Sequence, residues 1–460
     1  MDEKMIRDVE SFVAENEENI IRDIARIVAV NSVESAPEEG CPYGRGPAEA
    51  LSLGLKIAEE LGLNTVNCDN RIGFGQIGDA EKYIATITHV DVVPIGEGWT
   101  GDPFTLRERE GYLIGRGVMD DKGPSILCLY ALKYLKERNV PLKYSVRAIL
   151  GANEETGMLD VEYYQEHYPD PVFCFSPDSN FPVCIGEKGI YRGRIVSKAV
   201  LNNIVDIRGG VAVNVIPSKC EAWVRGDHFE SSERVAALYD EEKKLWHLTA
   251  SGIGGHASLP AGTVNAIGVM VDYLLDSGKV SGDEKKLLEF LRLLHSAWDG
   301  SALGVAADDG VFDPLTIVGG VIGVENGRVV QSIDSRYPTN MSGEMIAASI
   351  RAKAGDVAEV LTDEVDVPFY IGADNPAALK CMEIYNAVTG EDAKFYTMGG
   401  GTYARHFPNG VSFGPEHPER PQPDFAGPIH GADEAACKDY LLEALKIYIV
   451  TLLELEKMDF

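Results

Sequence analysis

The chain has 460 residues, of which 45% are hydrophobic and 25% charged; this is the composition of a soluble globular protein too long for one ordinary core, so two or three domains are expected. Its formal net charge of -30 argues against nucleic acid and anionic membranes as partners, since either polyanion would be repelled. No apolar run has the length a bilayer needs, Met1-Asp2-Glu3-Lys4 lacks the basic-then-apolar pattern of a signal peptide, and the eight cysteines show no C-x-x-C spacing, so a cytoplasmic protein with reduced thiols is expected.

Ile20, Ile24, Ile27 and Val28 recur at helical spacing and predict an amphipathic helix over roughly 18–30, preceded by another around Ile6 to Phe12. Asn31 to Gly46 reads as a loop rich in acid, Pro and Gly. Pro47 then opens a helix with Leu51, Leu55, Ala58 and Leu61 on one face, stopped by Gly62. Short strands at Thr65–Cys68 and Gly73–Ile77 lead to the central run Tyr83–Asp91. That run is apolar and β-branched and ends in polar residues, as a buried strand does. Its period of two puts His89 and Asp91 on one face at the carboxyl end.

A helix from Pro124 through Arg138 comes after Gly115-Arg116-Gly117-Val118-Met119-Asp120-Asp121-Lys122-Gly123. The strand Tyr144–Leu150 ends at Gly151-Ala152-Asn153-Glu154-Glu155-Thr156-Gly157. A short helix near Val161–Tyr164 leads to Val172–Phe175, which ends at Ser176-Pro177-Asp178. This alternation predicts an α/β fold with a mostly parallel sheet covered by helices, each strand end delivering a His or a carboxylate. After about Glu187 strands dominate, with long loops and polar turns. From Pro376 the helix–strand alternation resumes, with Cys381, Ile384, Tyr385 and Val388 on a helix stopped by Gly390, and with a C-terminal helix carrying Leu441, Leu445 and Tyr448. The expected organisation is a discontinuous catalytic domain, residues 1–187 and 376–460, interrupted by an inserted α+β lid, residues 188–375.

The strand ends together offer two imidazoles, His89 and His430, and five acids, Asp91, Asp120, Glu154, Glu155 and Asp178. Mixed His and carboxylate ligands suit Zn²⁺, Mn²⁺ or Co²⁺. Two such ions sharing a carboxylate would sit about 3.5–4 Å apart and grip a water between them, which is the chemistry of a hydrolase.

His89-Val90-Asp91, Gly115 to Gly123, Glu154-Glu155-Thr156-Gly157, Asp178 and His430 resemble, in order and spacing, the co-catalytic metallopeptidases that include aminoacylases and carboxypeptidase G. Within that family the chain is most similar to the PepV-type bacterial dipeptidases, whose large lid and Gly-Gly-Gly-Thr-Tyr-Ala-Arg segment reappear here as Gly399 to Arg405. The resemblance implies a dinuclear metal site holding two divalent ions, Zn²⁺ with Mn²⁺ or Co²⁺ as alternatives. Asp120 would bridge them, His89 and Asp178 would complete the first, and Glu155 and His430 the second. Asp91 would orient His89, and Asp120-Asp121 would carry a cis peptide. Glu154 would be the general base, taking a proton from the metal-activated water and passing it to the leaving amine.

The resemblance further implies that His256 of the lid stabilises the oxyanion, a role that can be worth about 2.7–4 kcal/mol. Asn214 and Arg336 would bind the substrate's backbone and C-terminal carboxylate, and Gly399, Gly400 and Gly401 would let main-chain amides approach it. The expected protein is a zinc metalloprotease: a monomeric dipeptidase cleaving small peptides with an unblocked amino end. Its rivals are an N-acyl-amino-acid deacylase, an amino- or carboxypeptidase of the same family, and a non-catalytic metal or peptide binder.

Overall fold

The computed structural model describes residues 3–460; Met1 and Asp2, which enter the reading of the amino terminus, lie outside them. The chain divides into two compact units. One runs to Gly186 and takes up again at Tyr370–Tyr396 and Gly401–Phe460, and the other comprises Glu187–Phe369 and Thr397–Gly400.

The first unit is built on a mixed sheet in the order Asn64–Cys68, Ile72–Ile77, Ser145–Gly151, Tyr83–His89, Phe173–Ser176, Gly410–Ser412, Cys184–Glu187. Its four middle strands are parallel. Antiparallel strands flank them on both sides. Every residue of Tyr83–His89 is buried, which is why this strand reads as an apolar, β-branched run without charged residues on an outward face.

The period of two still sorts its side chains. Ile84, with Val146, Ala148 and Leu150 of the neighbouring strand, faces a core shared with the helices Glu3–Val28, Arg45–Glu60, Lys122–Glu137, Pro376–Thr389 and Lys438–Leu455. Tyr83, Ala85, Ile87 and Ile149 face a smaller core with Val161 and Tyr164 of the helix Leu159–His167 and with Tyr403 and Phe407. The helix Lys122–Glu137 is buried almost all round, because it packs against the N-terminal and C-terminal helices as well as the sheet.

The two N-terminal helices expected from periodicity are one continuous helix, Glu3–Val28. The polar stretch Glu15–Asn19 looks like a break in the sequence. Instead Asn16 is buried and satisfied, donating to the Phe12 carbonyl at 2.8 Å and accepting from Lys133 Nζ at 2.7 Å, so the buried stripe passes through it without an orphaned polar group. The second helix starts at Arg45 instead of Pro47, after Gly44 at φ 92°. The central strand ends at His89, so Asp91 lies just beyond it. All eight cysteines are free thiols.

The second unit is an antiparallel sheet in the order Val235–Asp240, Leu245–Ser251, Lys219–Val224, Ile204–Gly209, Ile322–Glu325, Arg328–Tyr337, Gly189–Ser197, Ala358–Asp366. The helices Ala266–Asp276, Gly282–Ser296 and Gly343–Ala354 supply the other half of its separate core, through residues such as Ile267, Leu291 and Ile346. Among the described residues no helix is long and apolar enough to cross a membrane.

Candidate metal centre

Three adjacent parallel strands end side by side, and the chemistry sits at their ends and on the turns just past them. His89 is the last residue of its strand, paired in register with Gly151, and Asp178 lies two residues beyond Ser176. Position 151 tolerates no side chain. A Cβ there would lie 2.0 Å from Tyr403 Oη and 2.6 Å from Asp160 Oδ2, so glycine lets the strand end come down onto that pair. Asp160 in turn accepts hydrogen bonds from the amides of Ala152 at 2.7 Å and Asn153 at 3.0 Å, and from Tyr403 Oη. The turn leading to Glu154 and Glu155 is thereby anchored from below.

Asp91 anchors that turn from above. Its Oδ1 accepts from the Glu154 amide at 3.2 Å and its Oδ2 from the Glu155 amide at 3.1 Å. The nearest Asp91 atom to His89 Nδ1 is the backbone carbonyl at 3.0 Å, with carboxylate Oδ1 at 3.5 Å. A carbonyl acceptor fixes Nδ1 as the protonated nitrogen and frees Nε2 to act as a ligand.

That Nε2 points at the acids. It lies 2.9 Å from Asp120 Oδ1 and 3.8 Å from Asp178 Oδ2. The other oxygen of Asp120 lies 2.8 Å from His430 Nε2, which is also 3.3 Å from Glu155 Oε2. Two sets of potential ligand atoms, His89/Glu154/Asp178 and His89/Asp120/Glu155, each fall within 4.8 Å of one another. The Asp120-Asp121 peptide is cis, and His430 sits in a loop at φ 61°. The seven residues singled out in the sequence are therefore together in one place, although Asp120 and His430 come from loops and not, as the sequence suggests, from strand ends.

Taken as protein atoms alone, the cluster is electrostatically unbalanced. Burial pushes Glu154 and Asp178 well above the usual carboxylate range, and the neighbouring charges of Asp178 on Glu154, and of Asp120 on Asp178, add to it. Glu155 is raised by burial and by Asp120. Asp120 goes the other way: burial opposes its ionisation, but hydrogen bonds from His430 and His89 hold it well below the usual range. Burial disfavours the charged imidazoles, yet hydrogen bonds to Asp120 carry His89 well above its ordinary value and His430 up to about 11. Glu155 Oε1 is buried without a hydrogen-bond partner. A buried set of acids with an orphaned carboxylate oxygen and two imidazole nitrogens aimed at one carboxylate fits divalent cations, which would supply the missing positive charge.

Two residues here escape a reading of the sequence. Glu434 looks like a loop acid favouring a helix dipole, but no helix begins until Lys438, and the Glu434 side chain is buried. It accepts from the amides of Gly117 and Met119, both at 3.1 Å, from that of Asp120 at 3.3 Å and from Arg116 Nη1 at 2.7 Å. Nothing in the local sequence distinguishes Glu434 from a solvated acid. Arg116 could have been suspected, as a long cation between two glycines beside a ligand motif.

The second unit gathers its own residues. Strand Val215–Ile216 pairs with Gly255–His256, and the Asn214 carbonyl accepts from the Ala257 amide at 2.8 Å, so Asn214 and His256 lie on one short ribbon. His256 is exposed, with Nδ1 2.7 Å from Ser258 Oγ. Arg336 is buried; its Nε and Nη2 pair with the two oxygens of Asp334 at 2.8 and 3.1 Å, and Nη1 donates to the Gly399 carbonyl at 2.9 Å. Gly399 packs on Ser258, where a Cβ would approach within 2.7 Å of the serine Cβ. Gly400 closes this unit and Gly401 belongs to the first.

An α/β sheet whose parallel strand ends converge imidazoles and carboxylates on a shared aspartate defines the class: a metal-dependent hydrolase. The chain belongs to peptidase family M20/M25/M40, whose family model matches residues 85–454. It is 31% identical to a β-Ala-Xaa dipeptidase of Lactobacillus delbrueckii subsp. lactis, over 95% of this chain and 96% of that protein. It is 30% identical to the putative dipeptidase YtjP of Bacillus subtilis, over 97% and 99%. Among solved structures, human carnosine dipeptidase 1 superposes with a TM-score of 0.61 at 14% identity, covering 99% of both chains, a likeness of fold.

Proposed function

We propose that the protein is a dipeptidase that uses two divalent metal ions, Zn²⁺ in the first instance with Mn²⁺ or Co²⁺ as alternatives, to cleave small peptides with a free amino end. The observation that carries this reading is Asp120, whose two oxygens each meet a different imidazole, His89 at 2.9 Å and His430 at 2.8 Å. That is the arrangement a bridging carboxylate needs. The two relatives described as dipeptidases align over nearly their whole length, which supports the substrate class.

His89 and Asp178 would hold one ion, Glu155 and His430 the other, and Asp120 both. Bound there, the ions supply Lewis acidity to the scissile carbonyl and lower the pKa of the attacking water. Glu154 takes a proton from that water as its oxygen forms the new bond to carbon, and returns the proton to the amine as the C–N bond breaks. A carboxylate desolvated beside Asp178 is a stronger base than one in water, which suits it to the first half of that exchange. Asp91 places Glu154 by holding its amide. His256 is assigned to the developing oxyanion, Asn214 and the amides of Gly399 to Gly401 to the peptide backbone, and Arg336 to the terminal carboxylate. The enzyme is taken to be a monomer working in the cytoplasm.

The test is turnover of a dipeptide, its N-acetyl form and a tripeptide by metal-loaded protein, alongside Glu154→Gln. The expected result is strong preference for the free dipeptide, with E154Q slower by about 10²–10⁴-fold at unchanged metal content. Preference for the acetylated substrate would replace the dipeptidase with a deacylase, and full activity of E154Q would end the general-base assignment.

A further inference from the structure

Asp120 and His430 both stand on loops, not on strand ends, yet their side chains meet at 2.8 Å. Asp120 lies in the turn of residues 116–121, and His430 in the loop of residues 427–434 with φ 61°. One buried ion pair touches both segments. Glu434 receives three amides of that turn, those of Gly117, Met119 and Asp120 itself, while its other partner is Arg116 at 2.7 Å. Arg116 then spends its Nη2 on three carbonyls: Pro94 and Ile95, both at 3.3 Å, and His430 at 3.4 Å. Both side chains are 1% exposed. The Gly115 amide closes the ring by donating to the Glu434 carbonyl at 2.9 Å.

We infer that Arg116 and Glu434 are a positioning pair that sets the distance between the bridging aspartate and His430, and so controls occupancy of the Glu155/His430 ion position more than that of the His89/Asp178 position. This rests on the metal reading above and deepens it. A buried pair of this kind adds little net stability over apolar packing, so a role in specifying geometry accounts for it better than a role in holding the fold. The asymmetry between the two ion positions comes from what carries the ligands. His89 ends a buried strand and Asp178 lies two residues past another, and neither touches the pair. His430 has its carbonyl in the Arg116 fork.

The two partners separate cleanly by substitution. In Arg116→Lys a single ammonium can still meet Glu434, leaving the turn amides of Gly117, Met119 and Asp120 in place, but it cannot also reach Pro94, Ile95 and His430 as the planar fork does. In Glu434→Gln the side-chain amide turns an NH₂ toward donors already pointing at it, so the Asp120 turn itself is released.

The experiment is calorimetric titration of chelator-stripped protein with Zn²⁺ and with Mn²⁺, with metal content after gel filtration, and with circular dichroism and thermal unfolding in EDTA as fold controls. For R116K the expected result is one ion bound as in the wild type and the second weakened by about 10–100-fold, the range seen when partners of metal ligands are removed. E434Q is expected to weaken both. Two ions bound by R116K with wild-type affinity would overturn the inference, as would an R116K that fails to fold, since the pair would then be a determinant of the fold. A wild type that binds no divalent metal would instead remove the metal reading on which the inference stands.

Discussion

Replacing Asp91 with Asn separates the two jobs that its position suggests, holding His89 and holding the acids. The carboxylate binds two amides at once, Glu154 through Oδ1 at 3.2 Å and Glu155 through Oδ2 at 3.1 Å. Asn keeps one acceptor oxygen and turns an NH₂ toward the other amide. The lost charge-assisted bond is worth about 1.5–3 kcal/mol, and the stranded N–H in a site where Asp91 is 1% exposed costs about 1–3 kcal/mol more. Relief by movement of the turn would displace Glu154 from the water it is proposed to deprotonate, and about 3–4 kcal/mol expressed in the barrier lowers kcat by roughly 10²–10³-fold. His89 has a second anchor: its Nδ1 donates to the Asp91 backbone carbonyl at 3.0 Å, which the substitution leaves in place. Its tautomer, and with it the Nε2 proposed as a ligand, therefore survives. Steady-state kinetics in a series of metal concentrations, with bound metal measured in the same samples, distinguishes the two jobs. Expected is a kcat deficit that excess metal does not repair. Full recovery of kcat by added Zn²⁺ would refute the reasoning, because the deficit would then lie in His89 and not in the acids.

Two further outcomes concern residues away from the ligand cluster. His417 is 7% exposed among the rings of Phe181, Tyr385 and Tyr440, and burial, with the nearby Arg420 charge, pulls its pKa down from 6.5 to about 4. A base depressed in this way is neutral in the fold and takes up its proton more readily when unfolded. Its stability contribution is complete above pH 6.5 and is lost as pH falls toward 4, by about 3 kcal/mol. Urea unfolding of the metal-free protein at pH 7.5 and pH 4 should show that loss shrinking in His417→Phe, and an equal loss in both proteins would refute the assignment. Arg336→Lys keeps the charge but cannot span both oxygens of Asp334 and the Gly399 carbonyl. If Arg336 receives the substrate carboxylate, KM for dipeptides rises by about 10–100-fold with a smaller change in kcat; an unchanged KM would remove that role.

Legibility in the sequence tracks the regularity of the local physics. The parallel strands are readable because burial on both faces makes them largely apolar and β-branched, and Tyr83–His89 is buried at every position. His89, Glu154, Glu155 and Asp178 are readable because each stands at or just beyond such a run. The continuous N-terminal helix is hidden because a buried Asn16 satisfied by Lys133 and the Phe12 carbonyl looks the same in sequence as a solvated break. Glu434 is hidden for the same reason in reverse: a loop acid gives no sign that three amides and an arginine converge on it. Asp91 carries a partial signal. Its distance along the strand points to His89, whereas its carboxylate is occupied by the amides of the acidic turn.

The part of the site that strand periodicity leaves open is therefore the part that needs separate anchoring. A ligand at the end of a strand inherits its position from the sheet, whose ladder and packing fix it at no further cost. A ligand on a loop inherits nothing, and must be held by buried polar groups that hydrogen-bond its backbone. Asp160 with Tyr403, Asp91 with the two Glu amides, and Glu434 with Arg116 are three such holds, one under the acidic turn, one over it and one across the Asp120 and His430 loops. Each uses an acid that contributes no ligand of its own. The site thus contains two classes of carboxylate that are identical in composition and opposite in duty: those turned toward one another, for which cations are the natural complement, and those turned toward backbone amides, for which the chain is its own complement. The second class determines how closely the first can approach, so substitutions in it should register in metal affinity and kcat before they register in stability.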